Sequence, residues 1–194
     1  MDFDKVVVRR RSIRKFKEDP VSEKVISKIL EAGRWAPSAG NSQPWHFVVL
    51  TDVDVKKEIG SVCTESSKKS WAKFSSSRAK YLAARGGSWD KSNMVKIPVL
   101  VAVCYTTLER LRDELVLGSA WAAIENMLLA ATSEGLGSCI YTFYDVEEEN
   151  KIRLIIGVPD GFRIAAMIEL GYSAFDPPAP TRNSMNEIVS YQHF

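Results

Sequence analysis

The hydrophobic positions along the chain change period several times, and each change marks an element. Phe3, Val6 and Val7 share one face of a short opening helix over residues 2–10. Val21-Ser22 supplies a staple residue and an N-cap for a second helix, where Val25, Ile26, Ile29 and Leu30 recur at helical spacing up to Gly33. Residues 45–50 form a β-rich run that predicts a strand, and residues 52–59 predict another short helix. Residues 97–105 are continuously apolar, as in a strand covered on both faces, with Pro98 confined to its start. Residues 119–134 are apolar almost all round and predict a fully buried helix that Gly135 ends. A strand over 139–143, a helix over 147–156 closed by Gly157 and Pro159, and a strand over 163–170 follow. Residues 176–180 are proline-rich and must run extended.

Residues 64–93 break the pattern. They are rich in Ser, Lys and Arg, with aromatics scattered at Trp71, Phe74, Tyr81 and Trp89, and predict one or two exposed helices plus a loop. No internal repeat or linker interrupts the 194 residues, so the chain reads as one α+β domain with a mixed sheet packed between helices.

Composition narrows the function classes. A hydrophobic share of 45% and a charged share of 26% fit an ordered globular chain. The net charge of +2 argues against a dedicated nucleic-acid binder. Cys63, Cys104 and Cys139 form no C-x-x-C pair and read as reduced thiols, and His46 and His193 offer little material for a metal site. The N-terminus lacks the apolar core of a signal peptide. The apolar stretch 119–132 is broken by Glu125 and Asn126 and is too short to span a bilayer. These features predict a soluble cytoplasmic protein with no membrane partner.

Two segments carry chemistry. Arg10, Ser12 and Arg14 point to one side if residues 10–14 are extended, and a phosphate monoester needs such bidentate cations with a short neutral donor. The plain alternative is a solvated basic patch. The second segment, residues 36–45, frames small residues between Pro37 and Pro44. Asn41 and Gln43 there each offer an amide donor and a carbonyl acceptor, the mix a flavin's pyrimidine rim requires. A polar turn leading into a strand is the alternative there.

Together these segments resemble the nitroreductase family of FMN-dependent oxidoreductases. The likeness runs through Arg10-Arg-Ser-Ile-Arg-Lys-Phe16, the loop 36–45, Gly135-Leu-Gly-Ser-Cys139, Ile156-Gly-Val-Pro-Asp-Gly161, Leu170-Gly-Tyr172 and the proline-rich tail into Arg182. It implies a mainly antiparallel sheet flanked by helices in an intertwined homodimer, with residues 174–194 reaching the partner. It also implies roles. Arg10 and Ser12 hold the FMN phosphate, with Arg11 supplying backbone or charge nearby. Arg14 meets the N1/O2 edge, where negative charge develops on reduction. Asn41 and Gln43 meet the pyrimidine and ribityl parts, and Pro37, Ser38 and Ala39 serve the partner's FMN. The backbone of Ile140, Tyr141 and Thr142 flanks the flavin, and Arg182 returns to the phosphate. Many relatives carry a basic residue where this chain has Pro180, which leaves the phosphate to Arg10 and Arg182.

The implied reaction passes hydride from NADH or NADPH through FMN to a nitroaromatic, quinone or similar small acceptor, in ping-pong fashion. The cofactor carries the chemistry, so no catalytic side chain and no metal is needed. Gly135-x-Gly137 lacks the third glycine of a dinucleotide fingerprint, which makes the nicotinamide a transient visitor. Residues 64–93, the implied lid over the flavin, match the family least. Dehalogenation, flavin fragmentation or dehydrogenation on the same fold, and a non-catalytic flavin sensor or store, are the rival readings.

Overall fold

The computed structural model describes residues 2–107 and 111–194. Its centre is a four-stranded sheet of β1 (Trp45–Leu50), β2 (Val99–Thr106), β3 (Gly137–Tyr141) and β4 (Phe162–Gly171). The strand order is β1-β2-β4-β3 and every strand pair is antiparallel. Among the described residues the parallel element is a bridge, Ser12 to Ser138, where the arginine segment meets the outer edge of β3. The sheet is therefore mainly antiparallel, as expected.

Helices cover both faces. On one side α2 (Glu23–Arg34) and α5 (Asp113–Ser133) close a core with Val99, Val101, Val103, Ala166, Ile168 and Leu170. On the other, α3 (Val53–Trp71), a 3-10 turn over Ser92–Lys96 and α6 (Val146–Ile155) enclose Leu100, Ala102, Cys104 and Met167. Alternate residues of β2 thus feed opposite cores, which explains its unbroken apolar run. The short α1 (Phe3–Arg9), α4 (Ser76–Ala83) and α7 (Met185–Ile188) lie outside the two layers.

Three local expectations need correction. Ser22 has the extended backbone of an N-cap, but its hydroxyl makes no capping bond. The helix expected over 52–59 runs on to Trp71. Asp52 caps it by accepting from the Asp54 and Val55 N–H groups at 2.9 Å each, and its buried face continues through Ile59, Cys63 and Ser67. Polar Ser67 takes an inward position, so the apolar period appears to stop too early. The helix expected over 119–134 starts at Asp113. At 21 residues α5 is long and apolar enough to cross a membrane by length and composition, beyond what the stretch 119–132 indicated. Nor is it buried all round: Val116, Ala120, Ile124, Met127 and Leu128 face the core, while Leu115 is exposed and Trp121 and Leu129 are half-buried.

Docking of residues 10–17 onto the sheet is what positions the site. Ile13 N–H donates to the Ser138 carbonyl at 2.9 Å, and Lys17 N–H to the Tyr172 carbonyl at 2.9 Å. Ile13 is buried against Gly137, where an added Cβ would lie 2.7 to 2.9 Å from three Ile13 side-chain carbons. Those atoms belong to a β-branched side chain that cannot swing away. Gly137→Ala is expected to lift the segment off β3 and cost about 1–3 kcal/mol of stability. Urea denaturation reads this, and an unchanged midpoint would contradict the docking argument.

Candidate functional site

With Ile13 turned inward, its neighbours turn outward. Arg10, Arg11, Ser12 and Arg14 line a cavity of about 190 Å³ together with Tyr81, Arg85, Pro177, Pro178, Pro180 and Arg182. Five arginines thus meet at one opening. The Arg11 guanidinium bends back to the carbonyls of Val8 and, at 2.8 Å, Arg10, near the carbonyl end of α1. Arg10 Nε stands 3.4 Å from Glu125 Oε1 of α5. Arg14 donates to the carbonyls of Ser12 at 3.3 Å and Arg85 at 3.4 Å. The Arg85 guanidinium lies 3.9 Å from the centre of the Tyr81 ring. Among the described residues Arg14, Arg85 and Arg182 have no carboxylate partner. Such a set suits a dianionic phosphate, because guanidinium forks pair with its oxygens bidentately and Ser12 adds a neutral donor.

The structure brings Arg10, Arg11, Ser12, Arg14 and Arg182 together, and it places the other expected residues elsewhere. Pro37, Ser38, Ala39, Asn41 and Gln43 form a tight turn that does not line this cavity. Ser38 Oγ accepts from Gln43 N–H at 3.0 Å, and Ala39 N–H donates to Ser119 Oγ of α5 at 3.1 Å. Asn41 (φ 52°) and Gln43 (φ 45°) sit in the left-handed region beside Gly40 (φ 58°), a strain that the turn must hold in place. The Gln43 amide donates to Asn41 Oδ1 at 3.3 Å, and Ser42 Oγ is buried with no partner among the described residues. Ser119 and Glu125, which receive Ala39 and Arg10, are six residues apart on α5, a rise of about 9 Å. Both halves therefore stand on one rigid helix.

At the end of β3 the Tyr141 side chain is committed to the core. The Tyr141 hydroxyl points into the core, donating to Glu148 Oε1 at 2.5 Å with Ser67 Oγ 3.4 Å away. Ile140 is half-buried, and Thr142 opens onto a separate cavity with Trp121 and Arg163. Glu148 also accepts from the Tyr144 N–H at 2.8 Å. Burial raises the Glu148 carboxyl above the ordinary range and outweighs the bonds from Tyr141 and Tyr144 that pull it down. Glu169, buried on β4 opposite Cys139, is likewise raised by burial, with Lys91 and Arg14 opposing. Burial also raises the thiols, Cys104 to about 11 and Cys139 to about 12, with Cys63 raised too. Protonated and enclosed, they are poor nucleophiles.

Sequence reasoning missed Tyr81, Arg85, Pro177 and Pro178. The i,i+4 spacing of Tyr81 and Arg85 was the available signal, since an aromatic and a cation so placed meet on a helix surface.

A family model described as the nitroreductase family matches residues 7–172. An iodotyrosine deiodinase of Thermotoga neapolitana is 30% identical over 96% of this chain and 95% of its own. An Archaeoglobus fulgidus protein named as an NADH dehydrogenase/NAD(P)H nitroreductase is 31% identical over 87% of this chain and 83% of its own. Among solved structures, oxidised iodotyrosine deiodinase bound to FMN and 3-iodo-L-tyrosine superposes with a TM-score of 0.87. It is 26% identical and covers 100% of both chains.

The raised Glu148 carboxyl has a consequence for stability. A carboxyl whose folded-state pKa lies above its unfolded value favours the folded state fully at low pH. That contribution is lost as pH rises through the folded pKa. The stability of the wild type relative to Glu148→Gln is therefore expected to fall between about pH 4 and the raised pKa. Denaturation at stepped pH measures it, and a difference that grows with pH would contradict the burial argument.

Proposed function

The chain belongs to the nitroreductase family, and from that premise we propose that it is a homodimeric, FMN-dependent oxidoreductase. It takes hydride from NADH or NADPH and reduces a small aromatic acceptor, a nitroaromatic or quinone, in ping-pong fashion. The observation that carries this reading is the cavity where Arg10, Ser12, Arg14 and Arg182 converge. Its donors fit the FMN phosphate, whose charge at neutral pH is near −2.

Arg10, Ser12 and Arg182 hold that phosphate, and Arg11 contributes main chain because its guanidinium is occupied by the Val8 and Arg10 carbonyls. Arg14 holds positive charge at the N1/O2 edge before any electron arrives. Asn41 and Gln43 orient the pyrimidine and ribityl parts, Pro37, Ser38 and Ala39 serve the partner's FMN, and the main chain of Ile140, Tyr141 and Thr142 flanks the ring. When bound, FMN supplies hydride exchange at N5 between donor and acceptor. Residues 64–93 act as a lid that excludes water from the exchange. Two surfaces support the homodimer. The outward side of α5 leaves Leu115 exposed, and the arm 174–194 leaves Met185, Ile188, Tyr191 and Phe194 exposed, apolar side chains that a partner subunit would cover. Three free cysteines fit a reducing compartment, the cytoplasm.

A second reading is favoured by the whole-chain likeness to the FMN-bound deiodinase: reductive dehalogenation, in which an aryl halide takes two electrons and a proton and releases halide. Anaerobic NADH oxidation with 4-nitrobenzoate, a benzoquinone and 3-iodotyrosine separates the two. Nitro or quinone reduction supports the first reading, iodide release with neither selects the second, and no turnover with any of them contradicts both. Arg10→Ala is expected to weaken FMN binding about 10- to 100-fold in a fluorescence titration, the loss of one charge-assisted contact. Unchanged affinity would remove Arg10 from the phosphate site.

A further inference from the structure

We infer that Arg85 is a further ligand of the FMN phosphate and that α4 settles over the site only when that phosphate is bound. The inference rests on the FMN reading above. Arg85 follows the end of α4, yet it lines the same cavity as Arg10 and Ser12, from the segment docked on β3, and Arg182, from the C-terminal arm. Its guanidinium is stacked 3.9 Å over Tyr81. Stacking fixes the plane of the fork while leaving its in-plane N–H groups free for an oxyanion. No carboxylate among the described residues takes them up, and among those residues the ion pair made by a cavity arginine is that of Arg10 with Glu125. Pro180, also in the cavity wall, offers no donor, so Arg85 adds a cation to the one the tail supplies through Arg182.

The helix that leads into Arg85 has little else to hold it. No residue of α4 is buried. Its attachment to the site runs through the Arg85 carbonyl, which accepts from Arg14 at 3.4 Å, and through Gly86. A Cβ built on Gly86 would lie 3.6 Å from Arg14 Cβ and 3.5 Å from Lys15 Cγ. At φ 76° Gly86 also takes a left-handed turn that other residues adopt with strain. A helix without buried apolar contacts opens at little free-energy cost. Without a dianion, moreover, Arg85 faces the like charges of Arg10, Arg14 and Arg182. The phosphate removes that repulsion and links the helix to the frame. Cofactor loading, rather than acceptor binding, then sets the order of this part of the lid.

Riboflavin, which has the same ring system without the phosphate, is the control ligand. Apoprotein is titrated with FMN and with riboflavin, and amide hydrogen exchange is followed over residues 76–86. FMN is expected to slow exchange there and riboflavin to leave it unchanged. Arg85→Ala is expected to lower FMN affinity about 10-fold, leave riboflavin affinity unchanged and abolish the FMN-specific protection, while Arg85→Lys recovers part of the preference. Equal protection by the two flavins overturns the inference, as does an unaltered FMN-to-riboflavin affinity ratio in Arg85→Ala. Equal loss of both affinities in Arg85→Ala would mean that the residue only keeps α4 folded, and overturns it too. Binding of neither flavin by the wild type would sink the FMN reading itself, and this inference with it.

Discussion

The site depends on one backbone contact, the hydrogen bond from Ile13 N–H to the Ser138 carbonyl at the outer edge of β3. Extended chain alternates its side chains, so anchoring Ile13 inward sends Arg10, Ser12 and Arg14 outward together. Gly137 lets the two backbones come close enough for the bond to form. A guanidinium cluster on a flexible terminus would spread apart by its own repulsion; pinned to a sheet edge, it becomes a fixed positive field. The cost of holding it is offset in part by Glu125 on α5 and by the carbonyls that occupy Arg11.

The buried network behind β3 complements that field. Tyr141, Glu148 and Ser67 tie strand, α6 and α3 together at the end of β3. The side chains near the site thus either line the arginine cavity or anchor the structure. The arginine segment is pinned to the sheet, whereas α4 buries no residue.

Much of this was legible in the sequence, and the reasons differ by element. β2 announced itself because both faces are buried, and residues 10–14 because closely spaced cations and a hydroxyl fit a phosphate. The length of α3 was hidden because Ser67 occupies an inward position where an apolar residue would have continued the period. The outward face of α5 reads as core because its apolar residues continue beyond the face that packs on the sheet, and composition does not separate the two faces. Arg85 was missed because α4 buries nothing, so no hydrophobic pattern fixed which way its residues point. That Pro37 to Gln43 stand apart from the arginines follows from packing on α5, which spacing along the chain does not encode.

The central claim is that the arginine cavity holds FMN in a redox-active protein. The absorption spectrum of the purified protein, recorded before and after NADH is added without oxygen, tests it most directly. Flavin bands that bleach with NADH are the predicted result. A protein without flavin that takes up none on incubation with FMN would contradict the account, whatever its fold.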